Sequence, residues 1–135
     1  MTRTHLSSPH FLVIDFNVES RHLLVRTLLR KYPTATIHES DDAEKSAALA
    51  RSLSLNAIVT HRTFELSGAE LVKLLREADP NVVIIMVSGI DREAEARAAG
   101  ANAFLSYDEW LRIGTVVEKA ITQAASEWTS APSAA

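Results

Sequence analysis

Short apolar runs without polar interruption constrain this chain more than any other feature. They are Phe11 to Ile14, Ala35 to Ile37, Ala57 to Val59 and Val82 to Val87, with a weaker one at Ala103 to Leu105. Three of them are rich in β-branched residues and do not alternate. A strand with one wet face alternates polar and apolar residues; a strand covered on both faces does not. The runs therefore predict buried strands of a parallel sheet.

The intervening segments have helical spacing. Val18 to Tyr32 carries Leu24 and Leu28, with Asn17 as cap and Pro33 as stop. Asp42 to Leu53 is alanine-rich and follows Ser40 or Asp41 as cap. Gly68 to Ala78 is capped by Ser67 and stops near Pro80. Arg92 to Ala99 is capped by Asp91 and ends at Gly100. Glu109 to about Ser126 carries an apolar stripe at Ile113, Val116, Val117, Ala120 and Ile121. Strand and helix thus alternate throughout. Right-handed crossovers then place helices on both faces of the sheet, giving an α/β doubly wound architecture. The 135 residues suit one domain, expected at 10–126, with an N-terminal extension at 1–9 and a flexible tail at 127–135.

Composition removes several functions. The chain has no cysteine, which excludes disulfides, thiolate metal sites and a cysteine nucleophile. Its net charge is −3 with charges interspersed, unlike the footprint of a nucleic-acid binder. The run Arg26 to Lys31, broken by leucines, reads as a solvated helix face. No signal-peptide pattern is visible, and no apolar run approaches the roughly 20 residues of a membrane span. The expectation is a cytoplasmic protein with no membrane and no nucleic-acid partner.

In open parallel sheets ligands sit beyond the carboxyl ends of the strands. Those ends carry Asp15 and Phe16, then Thr60 and His61, then Ser88, then Tyr107. With these residues the chain resembles the receiver domain of bacterial response regulators. Phe11 to Asp15 resembles the family's first strand and its acidic end. Leu66 to Gly68 resembles the opening of its third helix. Val87 to Gly89 resembles the hydroxyl-bearing end of strand four, and Gly100 to Leu105 the turn into strand five. The resemblance spans about Phe11 to Ala124. It implies a flavodoxin-like five-stranded sheet of order 2-1-3-4-5 with five helices.

The resemblance also implies phosphoryl transfer to an aspartate with Mg²⁺ bound, and here the chain departs from the pattern. Asp15 matches the first acid, but Phe16 replaces the second. His61 or, counting back from Gly68, Thr60 stands in the acceptor place. Ser88 matches the hydroxyl, and Tyr107 replaces the lysine. Mg²⁺ prefers several oxygen ligands, so Asp15 alone predicts lost or weak Mg²⁺ binding and no cofactor. Without metal and lysine the transferred charge is not neutralised. Phe16 is expected to fill the vacated pocket.

His61 has several readings: a partner facing Asp15 across adjacent strands, a phosphoryl acceptor, a pH sensor, or a transition-metal ligand with Asp15. Ser88 caps a turn or follows the state of the crevice. Tyr107 packs and hydrogen-bonds in the crevice or rotates as a switch. His22 and His38 read as surface or rim residues, and Arg62 either meets an anion at the crevice mouth or is a surface side chain paired with Glu65. Trp110, with Ile113 and Val117, is the interface candidate; the resemblance implies that a face of helix four, strand five and helix five mediates dimerisation or output, here as a homodimer. No glycine-rich phosphate loop or nucleophile–base set supports an enzyme. The expected function is a single-domain receiver module of two-component phosphorelay signalling. It would act by protein binding, with a histidine kinase or another response regulator as partner. An atypical phosphoacceptor using His61 or Thr60 is the alternative.

Overall fold

A computed structural model describes residues 8–130 of the chain. The elements in order are β1 (His10–Ile14), α1 (Val18–Lys31), β2 (Thr36–Ser40), α2 (Ala43–Ser52), β3 (Ala57–Thr60), α3 (Gly68–Ala78), β4 (Val83–Ser88), α4 (Glu93–Ala99), β5 (Ala103–Ser106) and α5 (Ile113–Ser130), with a 3₁₀ turn (Tyr107–Arg112) before α5. All strand pairs are parallel, in the order β2-β1-β3-β4-β5. This is the sheet the sequence resemblance implied.

The unalternating runs have the expected cause. Phe11, Val13, Val59, Ile85 and Val87 face α1 and α5, where they meet Leu24, Leu28, Ile113 and Val117. Leu12, Ile14, Ile58, Ile84 and Met86 face the other way and pack with Leu71, Val72, Leu75 and Ala96. Successive strand side chains point to opposite faces, so a sheet covered twice needs apolar residues at both parities. Each such side chain, fully buried, contributes about 1.5–3 kcal/mol.

Caps set most helix starts. Asn17 accepts the Ser20 N–H at 2.9 Å. Ser67 and Glu70 form a reciprocal capping box. At α2 the cap is Asp42, which accepts from Glu44 N, not Ser40 or Asp41. Ser40 is instead buried and takes the Ser46 hydroxyl at 2.9 Å. Helix α4 starts one residue later than expected, at Glu93, whose N–H still reaches Asp91 at 3.2 Å. Strand β2 lies later than its apolar run; it is an edge strand of the sheet, and only its last residue, Ser40, is buried. The 3₁₀ turn delays α5 to Ile113, and the helix then continues to Ser130, past the boundary expected near 126. Residues 1–7 and 131–135 of the expected extension and tail lie outside the described residues.

One tertiary tie had no sequence signal. Half-buried Arg76 donates to the carbonyls of Gly100, Val82 and Asp79 and to Asn102 Oδ1, at 2.6–3.2 Å. Asn102 Oδ1 also accepts the Ile84 N–H at 2.8 Å. The guanidinium thus joins the end of α3, the start of β4 and the turn after α4. Gly100 there has φ +116°, and a Cβ would lie 3.0 Å from Arg76 Cγ. Replacing Arg76 with methionine keeps the stem and strands these carbonyls. We expect a loss of about 2–3 kcal/mol in urea unfolding, the scale of charge-assisted hydrogen bonds, with little change in the amide spectrum at the opposite end of the sheet.

Candidate functional site

Asp15 directly follows β1 and continues its inward parity, so its carboxylate turns to the α1–α5 side of the sheet. It is fully buried. Oδ2 accepts the Tyr107 hydroxyl at 3.0 Å, and Oδ1 accepts the Asn17 N–H at 3.1 Å. His61 Nδ1 lies 3.4 Å from Oδ1, within ion-pair reach but long for a hydrogen bond. Arg21 holds the backbone beneath, donating to the Asp15 carbonyl at 2.7 Å while its Nε pairs with Glu39 at 2.9 Å. The His61 and Tyr107 rings meet edge to face at 5.1 Å. Burial pushes the Tyr107 phenol well above its usual range; the Ser20 hydroxyl opposes this, and the neighbouring Asp15 charge adds to it.

The strand register separates Thr60 from His61. Ile14 pairs with Thr60, and the His61 N–H bonds the Ile14 carbonyl at 2.9 Å. His61 therefore lies beside Asp15. Thr60 is one residue earlier, has the parity of Ile58, and is fully buried, with Oγ1 unpartnered among the described residues. It does not line the crevice. The loop from His61 to Gly68 runs close to β4: a Cβ on Gly68 would stand 2.5 Å from Met86 Cε and 3.0 Å from the His61 carbonyl.

Several sequence expectations change here. Phe16 does not plug the crevice; it is 44% exposed. Its neighbour Asp15 turns inward, so Phe16 turns outward. Its ring lies 5.6 Å from the Arg62 guanidinium carbon. Arg62 is not paired with Glu65, whose carboxylate reaches the Ala43 N–H at 3.3 Å instead. Ile113 and Val117 are fully buried in the core, and half-buried Trp110 packs against the same core. None of the three presents an open face, because the 3₁₀ turn rolls the start of α5 onto α1. The most exposed large apolar side chains are Phe64 at 83%, Ile90 at 64% and Leu111 at 62%. Ser88, at the end of β4, is buried and accepts the Ile90 N–H at 3.2 Å, the turn-capping role. His22 is exposed, whereas half-buried His38 stacks on His10 with centroids 5.8 Å apart.

The crevice opens into a cavity of about 600 Å³ lined by Phe16, His61, Arg62, Met86, Ser88 and Tyr107 among others. Reading the sequence missed Arg21 and Met86 as parts of this site; no local spacing marks them. Among the described residues, no group of three or more His, Cys, Asp or Glu side chains is arranged to hold a metal ion.

No protein-family model matches the chain. Stress response regulator protein 1 of Debaryomyces hansenii is 35% identical over 71 residues, a stretch that covers 52% of this chain and 29% of that protein. Several solved structures share the fold. The chemotaxis response regulator CheY4 of Vibrio cholerae superposes with a TM-score of 0.67 at 18% identity, covering 82% of this chain and 98% of that one. The receiver domain of the response regulator NarL from Mycobacterium tuberculosis gives 0.70 at 22% identity, covering 88% and 97%. A two-component response regulator from Clostridium difficile gives 0.73 at 20% identity, covering 85% and 96%. The chain has the fold of response-regulator receiver domains.

Both tyrosines hold their protons more tightly when folded: burial, with Glu118 nearby, raises Tyr32 to about 12, and burial also raises Tyr107. A raised phenol pKa adds stability below the unfolded value of about 10 and loses it as pH rises toward the folded value. Urea unfolding should therefore show stability falling above about pH 10. Tyr107→Phe should flatten that fall while lowering stability at neutral pH, because Asp15 Oδ2 loses its donor.

Proposed function

We propose that this chain is a receiver module of two-component signalling that acts by binding other proteins, without phosphorylation of an aspartate. The observation that carries the reading is the state of the Asp15 carboxylate. Its oxygens are already engaged by the Tyr107 hydroxyl, the Asn17 N–H and the nearby His61 ring. A divalent cation would have to displace these donors and would gain no second carboxylate in return. Mg²⁺ demands near-octahedral oxygen coordination and gives up its water reluctantly. Retained affinity for Mg²⁺ is not expected.

The acceptor place supports the same reading. An imidazole can accept a phosphoryl group on nitrogen, but the bond must form while negative charge accumulates on the transferred oxygens. Metal and lysine normally offset that charge. Here a phenol, held on Asp15, replaces the lysine. The chain is therefore read as a module rather than an enzyme, with protein partners such as a histidine kinase or another response regulator. The exposed Phe16, Phe64 and Ile90 on the crevice loops are the apolar groups available for such contacts. Leu111 is exposed but lines a surface pocket with Thr27, Arg30 and Lys31 of α1, so a homodimer through the α4–β5–α5 face has a narrower basis. No described helix is long and apolar enough to cross a membrane, which accords with action in the cytoplasm.

A phosphohistidine on His61 is the second reading, favoured by its ring facing Asp15 from the acceptor place. Incubation with Mg²⁺ and radiolabelled acetyl phosphate separates the two. The expected result is no retained label in the wild type. Acid-labile label that disappears in His61→Ala would establish the second reading and overturn the first.

A further inference from the structure

The cavity at the carboxyl end of the sheet has an unusual combination of wall and charge. Its volume of about 600 Å³ lies within the range of small-molecule sites. Met86, Ile90 and Phe16 give it apolar walls, and Gly68 and Gly89 bring bare backbone to its surface. Arg62 stands at its mouth with no carboxylate partner among the described residues. Its only hydrogen bond there is a long one, 3.4 Å from Nε to the Thr63 carbonyl. Arg92 also lines the cavity, and Glu95 offsets it at 3.2 Å. This leaves the Arg62 guanidinium as the positive group at the mouth, set apart from the buried Asp15 carboxylate. Ser88 Oγ accepts from Ile90 and keeps its own proton to donate. Asp15 lies behind with its oxygens engaged, so it presents no open carboxylate to an incoming anion.

We propose that this cavity binds a small organic monoanion with a flat apolar body, an aromatic carboxylate. Arg62 takes the carboxylate, with the Ser88 hydroxyl as second donor. The body lies against Met86, Ile90 and the Phe16 ring. An inorganic anion would leave these walls wet, and a neutral aromatic would leave the guanidinium unmatched. The fork of an arginine suits a carboxylate in two-point contact. A ligand seated there touches the loops after β1, β3 and β4 together, so its occupancy is an input to the same end of the sheet. The inference goes beyond the signalling reading and does not depend on the absence of phosphorylation.

The test uses the ¹⁵N-labelled 135-residue chain in metal-free buffer with EDTA, titrated with 2-naphthoate, inorganic phosphate and neutral 2-naphthamide. The expected result is saturable movement of the Arg62, Ser88, Gly89 and Ile90 amides with 2-naphthoate only. Arg62→Gln should weaken binding about tenfold or more, the scale of a lost charge-assisted bond. Gly89→Leu tests the cavity separately: nothing lies within 4 Å of a Cβ there, so the variant should fold, fill the space and abolish binding with all charges kept. Equal effects from phosphate would reduce the site to a bare anion site and overturn the proposal. Equal binding of 2-naphthamide, shifts confined to other regions, undiminished binding by both variants, or no saturation at millimolar ligand would also overturn it.

Discussion

A carboxylate shut away from water organises one end of this molecule. Asp15 has no solvent exposure, and an ionised carboxylate in that position costs several kcal/mol unless donors surround it. The donors come from well-separated parts of the chain. Asn17 supplies its N–H from the next loop. Tyr107 reaches in from the end of β5, 92 residues away, and His61 approaches from the end of β3, 46 residues away. Satisfying one buried group therefore aligns three strand ends. The same contacts occupy the oxygens that a cation would need.

The opposite end of the sheet is organised by the complementary charge. Arg76 is half-buried, and its guanidinium is spent on backbone carbonyls and the Asn102 amide rather than on a carboxylate. Between these two polar ties lie two apolar layers, one on each face of the sheet. The fold does not rely on the polar groups of the crevice. Packing of Leu24, Leu28, Ile113 and Val117 on one face and Leu71, Val72 and Leu75 on the other holds the architecture.

The outline of this architecture was readable in the chain. Doubly covered strands appear as unbroken apolar runs, and Asn17 and Ser67 marked their helix starts with local hydrogen-bond chemistry. The strand order came only through resemblance, since apolar runs do not say which strands are neighbours. Asp15, His61, Ser88 and Tyr107 were identified as crevice residues, and the Asp15–His61 approach was expected. Other assignments failed where a side chain's direction mattered. Phe16 turned outward, Arg62 chose an aromatic face over Glu65, and the stripe containing Ile113 and Val117 went wholly into the core.

The sequence by itself determined the strand–helix alternation, the capped helix starts and which residue types reach the crevice. These depend on side chains within a few residues of one another, where periodicity and capping act. Only the tertiary structure decided that His61 rather than Thr60 faces Asp15, that the Tyr107 hydroxyl bonds Asp15, and that Arg62, without a carboxylate partner among the described residues, lines a partly apolar cavity. Those outcomes follow from strand register and from contacts across many tens of residues. A one-residue change in where a strand ends turns a side chain to the other face, and local sequence does not encode that choice.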